Sequence, residues 1–534
     1  MAIAAQGSGL LARAPEQASA PAVNKWGVAA AVSLGALLEI IDTTIVNVAL
    51  SDMQAELGAT LSQISWVVSA YAIANVIILP LTAWLGHRFG KKKYFVFSLI
   101  GFTLASILCG LSTSLPMLIA ARILQGLTGG GLLAKAQAIL FETFPKEEQA
   151  MAQGFFGIIV ISGPAIGPTL GGYLVTNVDW RWIFFVNVPL GIIAVAMTMY
   201  FLQKDRPEDL VRSKIDWIAI GLLTVGIGAF QAILEEGNDE DWFESRAIVF
   251  GAIVAVVGLT AFVVRELRSK NPVVDLRVLR YRSLWAGSIL STVLGMTLYG
   301  AMFAVPIFAQ TCMHYTSQQT GMLMLPGAIG SAVTMIFVSK LVTRFDARAL
   351  LAFGAVVLIG AVLALTRLTP DTAERDLFWP LIFRSVGSVL MFMPLSMATL
   401  GPIPTKDVGT ATGFYNLTRQ LGGSIGVALL STLLTQRQQF HRAMLVESIV
   451  PSNVMTNERL QGMTQMLVNR GISLEDAKQK ALGLLDGIVA QQSAVMSFGD
   501  TFWATAALII VFLPFILLLG KPANKGGAQV SGGH

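Results

Sequence analysis

Long apolar segments, separated by short polar stretches, follow one another along most of the chain. A helix needs about 20 mostly apolar residues to cross a hydrocarbon core about 30 Å thick. The strict alternation of polar and apolar residues that marks a membrane β-strand is missing from these segments. The pattern therefore predicts fourteen membrane-spanning helices, near residues 26–50, 62–85, 94–112, 115–140, 152–174, 181–201, 215–234, 246–265, 284–310, 318–342, 349–367, 379–400, 408–435 and 501–520.

The composition points to the same class of protein. Of the 534 residues, 54% are hydrophobic and 13% are charged, whereas about 25% are charged in a soluble globular protein. So few charges do not cover a soluble surface of this size, and the high hydrophobicity excludes a disordered chain. We expect an all-α polytopic protein embedded in the lipid bilayer.

Basic residues are distributed unevenly between alternate loops. If the N-terminus is cytoplasmic, 22 Lys and Arg residues fall on the cytoplasmic side and four in the short opposite loops. This bias predicts that both termini are cytoplasmic, and it accounts for the net charge of +5 without a nucleic-acid partner. Residues 1–24 lack the apolar core of a signal peptide. Cys109 and Cys312 lie in or beside apolar runs and indicate neither a disulfide nor a metal site.

A short repeat relates the two ends of the chain. Leu-x-x-Arg-Phe occurs at 85–89 and 341–345, and an arginine within a predicted span follows each copy, at Arg122 and Arg384. Duplicated halves are typical of transporters, with the substrate at their interface. The predicted units are a tail (1–25), a six-helix half (26–201), two inserted helices with linkers (202–283), a second six-helix half (284–520) and a second tail (521–534).

A polar segment of about 65 residues, 436–500, separates the last two predicted spans. The charge bias places it outside the cell membrane, and we expect short amphipathic helices in it, such as 474–490. Either it is a solvated connection, or it is a docking surface for a periplasmic partner.

Charged groups inside the spans are the first candidates for function, because burying them in lipid is expensive. Glu39 and Asp42 are three residues apart and so share one face of the first helix. Arg122 of the fourth span needs an acidic or carbonyl partner, and Asp42 can be that partner. Protonation of Asp42 would then release Arg122 and couple a proton to a conformational change. The alternative is a permanent structural pair or a helix cap.

Other polar groups in the spans are candidates for a substrate cavity. Basic groups outnumber acidic ones there, which favours an anionic or weakly acidic amphiphile. Lys135, near the end of its span, can instead extend its amine to the membrane surface. The candidates are Gln125, Lys135, Arg384, Asn416 and Arg419.

The fifth span is rich in glycine and proline, which permit close helix approach and bend helices. This helix can act as a hinge or as a seal against proton leak, or it can serve packing alone. Its candidate positions are Gly163, Pro164, Gly167, Pro168, Gly171 and Gly172.

Motifs of soluble enzymes are missing from the sequence, including a nucleotide-binding loop, a His-x-x-x-His metal pair and a nucleophile elbow. The glycines at 129–131 lie within a predicted membrane helix, not after a strand, so they do not form a phosphate loop. We predict no cofactor and no metal, and therefore a transporter that is driven by an ion gradient or is passive.

These residues resemble the major facilitator superfamily, and within it the fourteen-helix drug:proton antiporter branch of EmrB/QacA type, over roughly residues 26–520. The resemblance is carried by four motifs in the order of the branch: Ile41 to Leu50, Leu118 to Gly126, Gly163 to Gly172 and Asp179 to Pro189.

The resemblance implies a proton-coupled antiporter of the bacterial inner membrane that exports amphiphilic toxic compounds, among them hydrophobic weak acids, uncouplers, fatty acids or antibiotics. It implies a proton-coupling role for Asp42 and a proton-relay role for Arg122. EmrB-like members work with a periplasmic adaptor and an outer-membrane channel. Alternatives are a proton-coupled importer of a nutrient or siderophore, and a membrane sensor with 436–500 as its receptor segment.

The loop after the second span departs from the family pattern. Ala83 stands for the first glycine and His87 for the aspartate, while Arg88, Gly90 and Lys91 remain as candidate gating residues. The charge-relay role of the missing aspartate is therefore not carried over.

Overall fold

A computed structural model describes residues 24–205, 210, 215–450 and 452–519, and these residues are overwhelmingly α-helical. Apart from residues 24 and 25, the two predicted tails lie outside this part. The first nine helices are α1 (Lys25–Leu57), α2 (Leu61–Ile78), α3 (Thr82–Phe89), α4 (Lys91–Gly110), α5 (Leu115–Gly129), α6 (Leu132–Thr143), α7 (Gln149–Asn177), α8 (Trp182–Phe185) and α9 (Asn187–Phe201).

The other nine helices begin with the two in the middle of the chain. They are α10 (Trp217–Glu236), α11 (Arg246–Arg268), α12 (Arg282–Thr311), α13 (Ser317–Arg344), α14 (Ala347–Ala364), α15 (Glu374–Leu400), α16 (Thr405–Glu447), α17 (Val454–Asn469) and α18 (Leu474–Phe512).

Thirteen helical segments of the described chain are long and apolar enough to cross a membrane. They correspond to all the predicted spans except 408–435, which is the first part of α16. That helix is long enough but more polar, and its Asn416 and Arg419 side chains are buried in the protein. The protein is thus a multi-pass, all-helical membrane protein. The side of the membrane on which each loop lies stays a prediction.

Two predicted spans are interrupted. The second contains a 3-10 turn at Leu79–Leu81, which includes Pro80. The fourth breaks between α5 and α6, where Gly131 adopts φ 75°. The expectation of one helix through the glycines at 129–131 is therefore wrong, because a left-handed residue cannot continue an α-helix.

Each half of the molecule has its own apolar core, and α7 and α13 pack along each other between them. Close approach is possible because glycines lie at this contact, such as Gly154 against Ser339 and Gly172 against Gln318. The helices α10 and α11 pack on each other, and α10 also contacts α2 and α16. The inserted pair therefore touches both halves.

The segment 436–500, here called the hairpin, is more regular than predicted. It consists of the end of α16, the short α17 and the first part of α18. The expected separate helix at 474–490 is wrong: those residues belong to a helix that runs without a break into the last span, because no proline occurs between 474 and 512. Ion pairs Arg437–Asp500 and Arg442–Asp486 join the two long helices.

Candidate functional site

A buried ion pair lies at the centre of the first half. Arg122 Nη1 of α5 lies 2.6 Å from Asp42 Oδ2 of α1, and the two side chains are 1% and 0% exposed. Arg122 Nε donates to the Val67 carbonyl at 2.9 Å, and its guanidinium lies 4.2 Å from the centre of the Tyr71 ring. The pair therefore joins α1, α2 and α5.

Two amide side chains complete the environment of Asp42. Gln125 Nε2 donates to Asp42 Oδ1 at 2.8 Å, and Asn187 Nδ2 donates to the same oxygen at 2.9 Å. Gln125 also bonds to Arg122 Nη1 and to Ser106 Oγ. A buried charge pair survives only if its remaining donors and acceptors are satisfied. Protonation of Asp42 would remove one charge from this network and leave Arg122 held by neutral oxygens.

Glu39 belongs to a different network, although it lies only three residues from Asp42. Its Oε1 accepts from Asn75 Nδ2 at 2.8 Å, and its Oε2 accepts from the backbone N–H of Leu133 at 2.7 Å. Leu133 is in the first turn of α6, where backbone N–H groups have no partner within the helix. Glu39 therefore caps the helix that starts again after the glycine break.

Lys135 lies close to this cap, two residues after Leu133 on α6. Its Nζ donates to Ser98 Oγ at 2.7 Å and lies 4.1 Å from the centre of the Tyr94 ring. The amine borders a cavity of about 40 Å³ that also has His87 and Glu142 in its lining. Lys135 thus contacts α4 and a water-sized space, and it does not join the Asp42 network.

A chain of polar contacts crosses between the halves. Gln137 Nε2 of α6 donates to Ser396 Oγ of α15, and Asn416 Nδ2 of α16 donates to Gln137 Oε1, both at 2.8 Å. Arg419 Nη2 in turn donates to Asn416 Oδ1 at 2.8 Å, while its buried Nε has no hydrogen-bond partner among the described residues. Arg384 is buried in α15, about three turns before Ser396. Of the predicted cavity residues, Asn416 and Arg419 meet here, whereas Gln125 and Lys135 lie elsewhere.

Three of the four candidate glycines of α7 lie on the contact with α1. Added Cβ atoms at Gly163, Gly167 and Gly171 would collide with Ile40, Thr44 and Ile45, the residues that flank Asp42 in α1. Pro164 and Pro168 lie within an otherwise continuous helix. Since Gly172 meets α13 of the other half, α7 connects the surroundings of Asp42 to the contact between the halves.

The loop between α3 and α4 is held by Asp205, in the linker that follows α9. Gly90 has φ 96°, and an added Cβ there would collide with the Asp205 carboxylate. Asp205 Oδ1 accepts from the backbone N–H of Lys92 at 3.2 Å, in the first turn of α4. Lys91 forms an ion pair of 2.6 Å with Glu142, and Arg88 lies over the Trp84 ring.

Sequence reasoning missed several residues of these networks, chiefly neutral ones. Asn75, Gln137 and Asn187 lie within apolar runs, where an amide without a partner costs free energy. That cost was a usable signal, but of the neutral amides in the spans only Gln125 and Asn416 were singled out. Asp205 gave no such signal, because it lies in a polar loop.

Comparisons with known proteins agree with this architecture. A profile of the Major Facilitator Superfamily matches residues 32–427. The chain is 33% identical to the multidrug export protein EmrB of Escherichia coli K12, covering 93% of this chain and 96% of that protein. It is also 33% identical to the fatty acid resistance protein FarB of Neisseria gonorrhoeae, covering 95% and 97%.

A solved structure shows the same fold. The crystal structure of the human organic anion transporter MFSD10 matches with a TM-score of 0.58 at 14% identity, over 91% of this chain and 99% of that one. The family match, the identities and the shared fold agree, and the chain belongs to the major facilitator superfamily of transporters, within its EmrB-like group.

Proposed function

We propose that the protein is a proton-coupled antiporter that exports amphiphilic toxic compounds by alternating access. The observation that supports this most is the fully buried Asp42–Arg122 pair. A charged pair in the core of a membrane protein is costly, and a carboxylate that accepts a proton there changes the charge of its surroundings.

The proposed cycle uses that change. A proton from outside binds Asp42, and the ion pair with Arg122 is lost. Arg122 keeps its bonds to Val67 O and to Gln125 Oε1, so it stays in place while α1 becomes free to shift. The glycine contact between α1 and α7 passes the shift to α13 and the second half. Release of the proton inside restores the pair and resets the site for substrate.

The substrates we propose are hydrophobic weak acids, uncouplers, fatty acids or antibiotics. The names of the relatives, one a multidrug export protein and one a fatty acid resistance protein, support this range. The polar contacts between the halves support a substrate with an acidic headgroup, since Arg419 Nε is a buried donor without a partner among the described residues. We place the headgroup at Arg419 Nε, beside the Arg419–Asn416 hydrogen bond.

We further propose a bacterial inner-membrane location with both termini in the cytoplasm, as the distribution of basic residues indicates. The hairpin then faces the periplasm and docks a membrane-fusion adaptor that leads to an outer-membrane channel. Support comes from large apolar side chains exposed on the hairpin, including Met444 at 57%, Met455 at 78% and Leu482 at 55%. Exposed apolar groups of this kind mark interaction surfaces.

Proton flux in inverted membrane vesicles tests the proposal. A hydrophobic weak acid that does not itself conduct protons, an antibiotic and a cationic dye are added in turn to energised vesicles, and proton movement is followed with a pH-sensitive probe. We expect Asp42→Asn to abolish the flux that a substrate induces. The control is Asp52→Asn, since Asp52 is an exposed aspartate of the same helix. Normal flux and normal drug resistance with Asp42→Asn would overturn the proposal.

A further inference from the structure

A third acidic network lies where the inserted helix α10 meets α16. Gln231 Nε2 donates to Glu235 Oε1 and to Ser424 Oγ, both at 2.6 Å. Ser424 Oγ lies 3.5 Å from the same Glu235 oxygen. Glu235 is the residue before the end of α10. It therefore ties the inserted pair to α16, the helix that carries Asn416 and Arg419.

Glu235 forms no salt bridge with any Lys or Arg of the described chain. The charged residues that follow it along the chain are acidic as far as Arg246 at the start of α11: Glu236 is next to it on α10, and Asp239, Glu240, Asp241 and Glu244 lie in the turn. Neither α2 nor residues 247–264 of α11 contain a charged side chain. The nearest charged residue along α16 is Arg419, which is bonded to Asn416. Within the part of the chain that the structure describes, no ion pair therefore offsets the charge of this carboxylate.

The network contains a spare hydrogen-bond acceptor. Gln231 is 0% exposed, and its Oε1 has no partner in the described chain. A carboxylate only accepts hydrogen bonds, whereas a protonated carboxyl also donates one. The oxygen and nitrogen of a glutamine amide occupy nearly the same shape, so a turn of the Gln231 amide would present Oε1 to a protonated Glu235. The site can therefore offer the Glu235 carboxyl a hydrogen-bond partner in both protonation states.

We propose that Glu235 is a second proton-binding site, at which protonation changes how the inserted helices hold α16. The inference rests on the proposed proton coupling and extends it. Deprotonated Glu235 accepts from the Gln231 amide and the Ser424 hydroxyl. Protonated Glu235 donates to Gln231 Oε1, and its contact with Ser424 weakens. Ser424 is five residues after Arg419 on α16. The protonation of Glu235 therefore affects the helix that carries Arg419 and Asn416, two members of the polar contacts between the halves.

The test is an infrared titration of the purified full-length protein in detergent, which detects the C=O stretch of protonated carboxyl groups as the pH is varied. We expect Glu235→Gln to lose one titrating band. Glu244→Gln, at an exposed glutamate in the turn after α10, should lose only its own band and keep the band that is absent in Glu235→Gln. Asp42→Asn should retain the Glu235 band whether or not this variant transports substrate. Failure of this inference and failure of the proposed function are therefore distinguishable.

Ser424→Ala leaves the Glu235 carboxyl group in place, so it tests the site even if Glu235→Gln does not fold. We expect it to shift the frequency of the Glu235 band, because the hydroxyl contact is lost. We also expect Glu235→Gln to lower substrate-induced proton flux in vesicles several-fold. Identical titration spectra for wild type and Glu235→Gln would overturn the proposal, as would an unshifted spectrum for Ser424→Ala.

Discussion

Two carboxylates on the same face of α1 have different surroundings. Asp42 faces a guanidinium and two amides in the core, whereas Glu39 accepts from Asn75 and from the backbone N–H of Leu133. In the first site a change of charge disturbs an ion pair. In the second it weakens hydrogen bonds from Asn75 and from the start of α6, and no ion pair of the described residues is lost. We infer that Asp42 carries the proton and that Glu39 maintains the structure. Two acidic residues that are close in sequence can therefore have different roles.

The largest effect after loss of Asp42 is expected from its partner. Arg122→Lys keeps the charge but cannot bond to both Asp42 and Val67 O, since lysine lacks the fork of arginine. Loss of one charge-assisted bond, about 1.5–3 kcal/mol, corresponds to a roughly ten- to hundredfold change in an equilibrium. Proton flux in vesicles should fall by that order. Flux at the wild-type level would mean that the geometry of the pair is irrelevant to coupling.

A matched pair of substitutions at Glu39 separates capping from proton transfer. Glu39→Gln keeps an oxygen for the Leu133 N–H and should transport nearly normally. Glu39→Ala leaves buried groups unsatisfied, which costs about 1–3 kcal/mol, and should lower the melting temperature in detergent. If Glu39→Gln abolishes proton flux while its melting temperature is unchanged, then Glu39 carries a proton and the distinction from Asp42 fails.

A smaller effect is expected at the loop between α3 and α4, where another carboxylate has a capping role. Gly90→Ala introduces a side chain at φ 96° and displaces Asp205 from the first turn of α4. Strain of this kind costs about 1–3 kcal/mol. We expect a lower melting temperature and slower transport, with an unchanged number of protons exchanged per substrate. A changed proton number would place this loop in the coupling itself.

The smallest effect is expected at the base of the inserted pair. Asp216 caps α10 and forms a bidentate contact with Arg265 of α11 at 2.9–3.1 Å. The hydrogen bonds from Arg265 lower the pKa of Asp216 below its usual value. A lowered pKa means that its stabilisation is complete above the unfolded pKa, about 3.9, and is lost as the pH falls below it.

Asp216→Asn should therefore reduce stability by at most about 1 kcal/mol at neutral pH, since the pair is partly exposed. The difference in melting temperature between wild type and Asp216→Asn should shrink below about pH 4. The same measurement on Asp52→Asn, at an exposed aspartate of α1, gives the background. A difference that grows as the pH falls would contradict the assigned pair.

The spans and the contact between Asp42 and Arg122 could be predicted because they depend on patterns that survive in one sequence. Apolar runs of spanning length set the helices, and a lone membrane arginine requires an acidic partner. The break at Gly131 could not be predicted from the sequence, since glycines also occur within membrane helices. The partner of Glu39 was hidden for the same reason, because the Leu133 N–H becomes free only where the helix breaks. Glu235 was not singled out, since it lies at the end of an apolar run.

Proton release on substrate binding tests the central claim most directly. Purified protein in weakly buffered detergent is mixed with the exported compound, and the pH change is read with a dye. Wild type should release protons, Asp42→Asn should release fewer, and Glu39→Gln should match wild type. Equal release from wild type and Asp42→Asn would contradict the claim that Asp42 exchanges its proton for substrate.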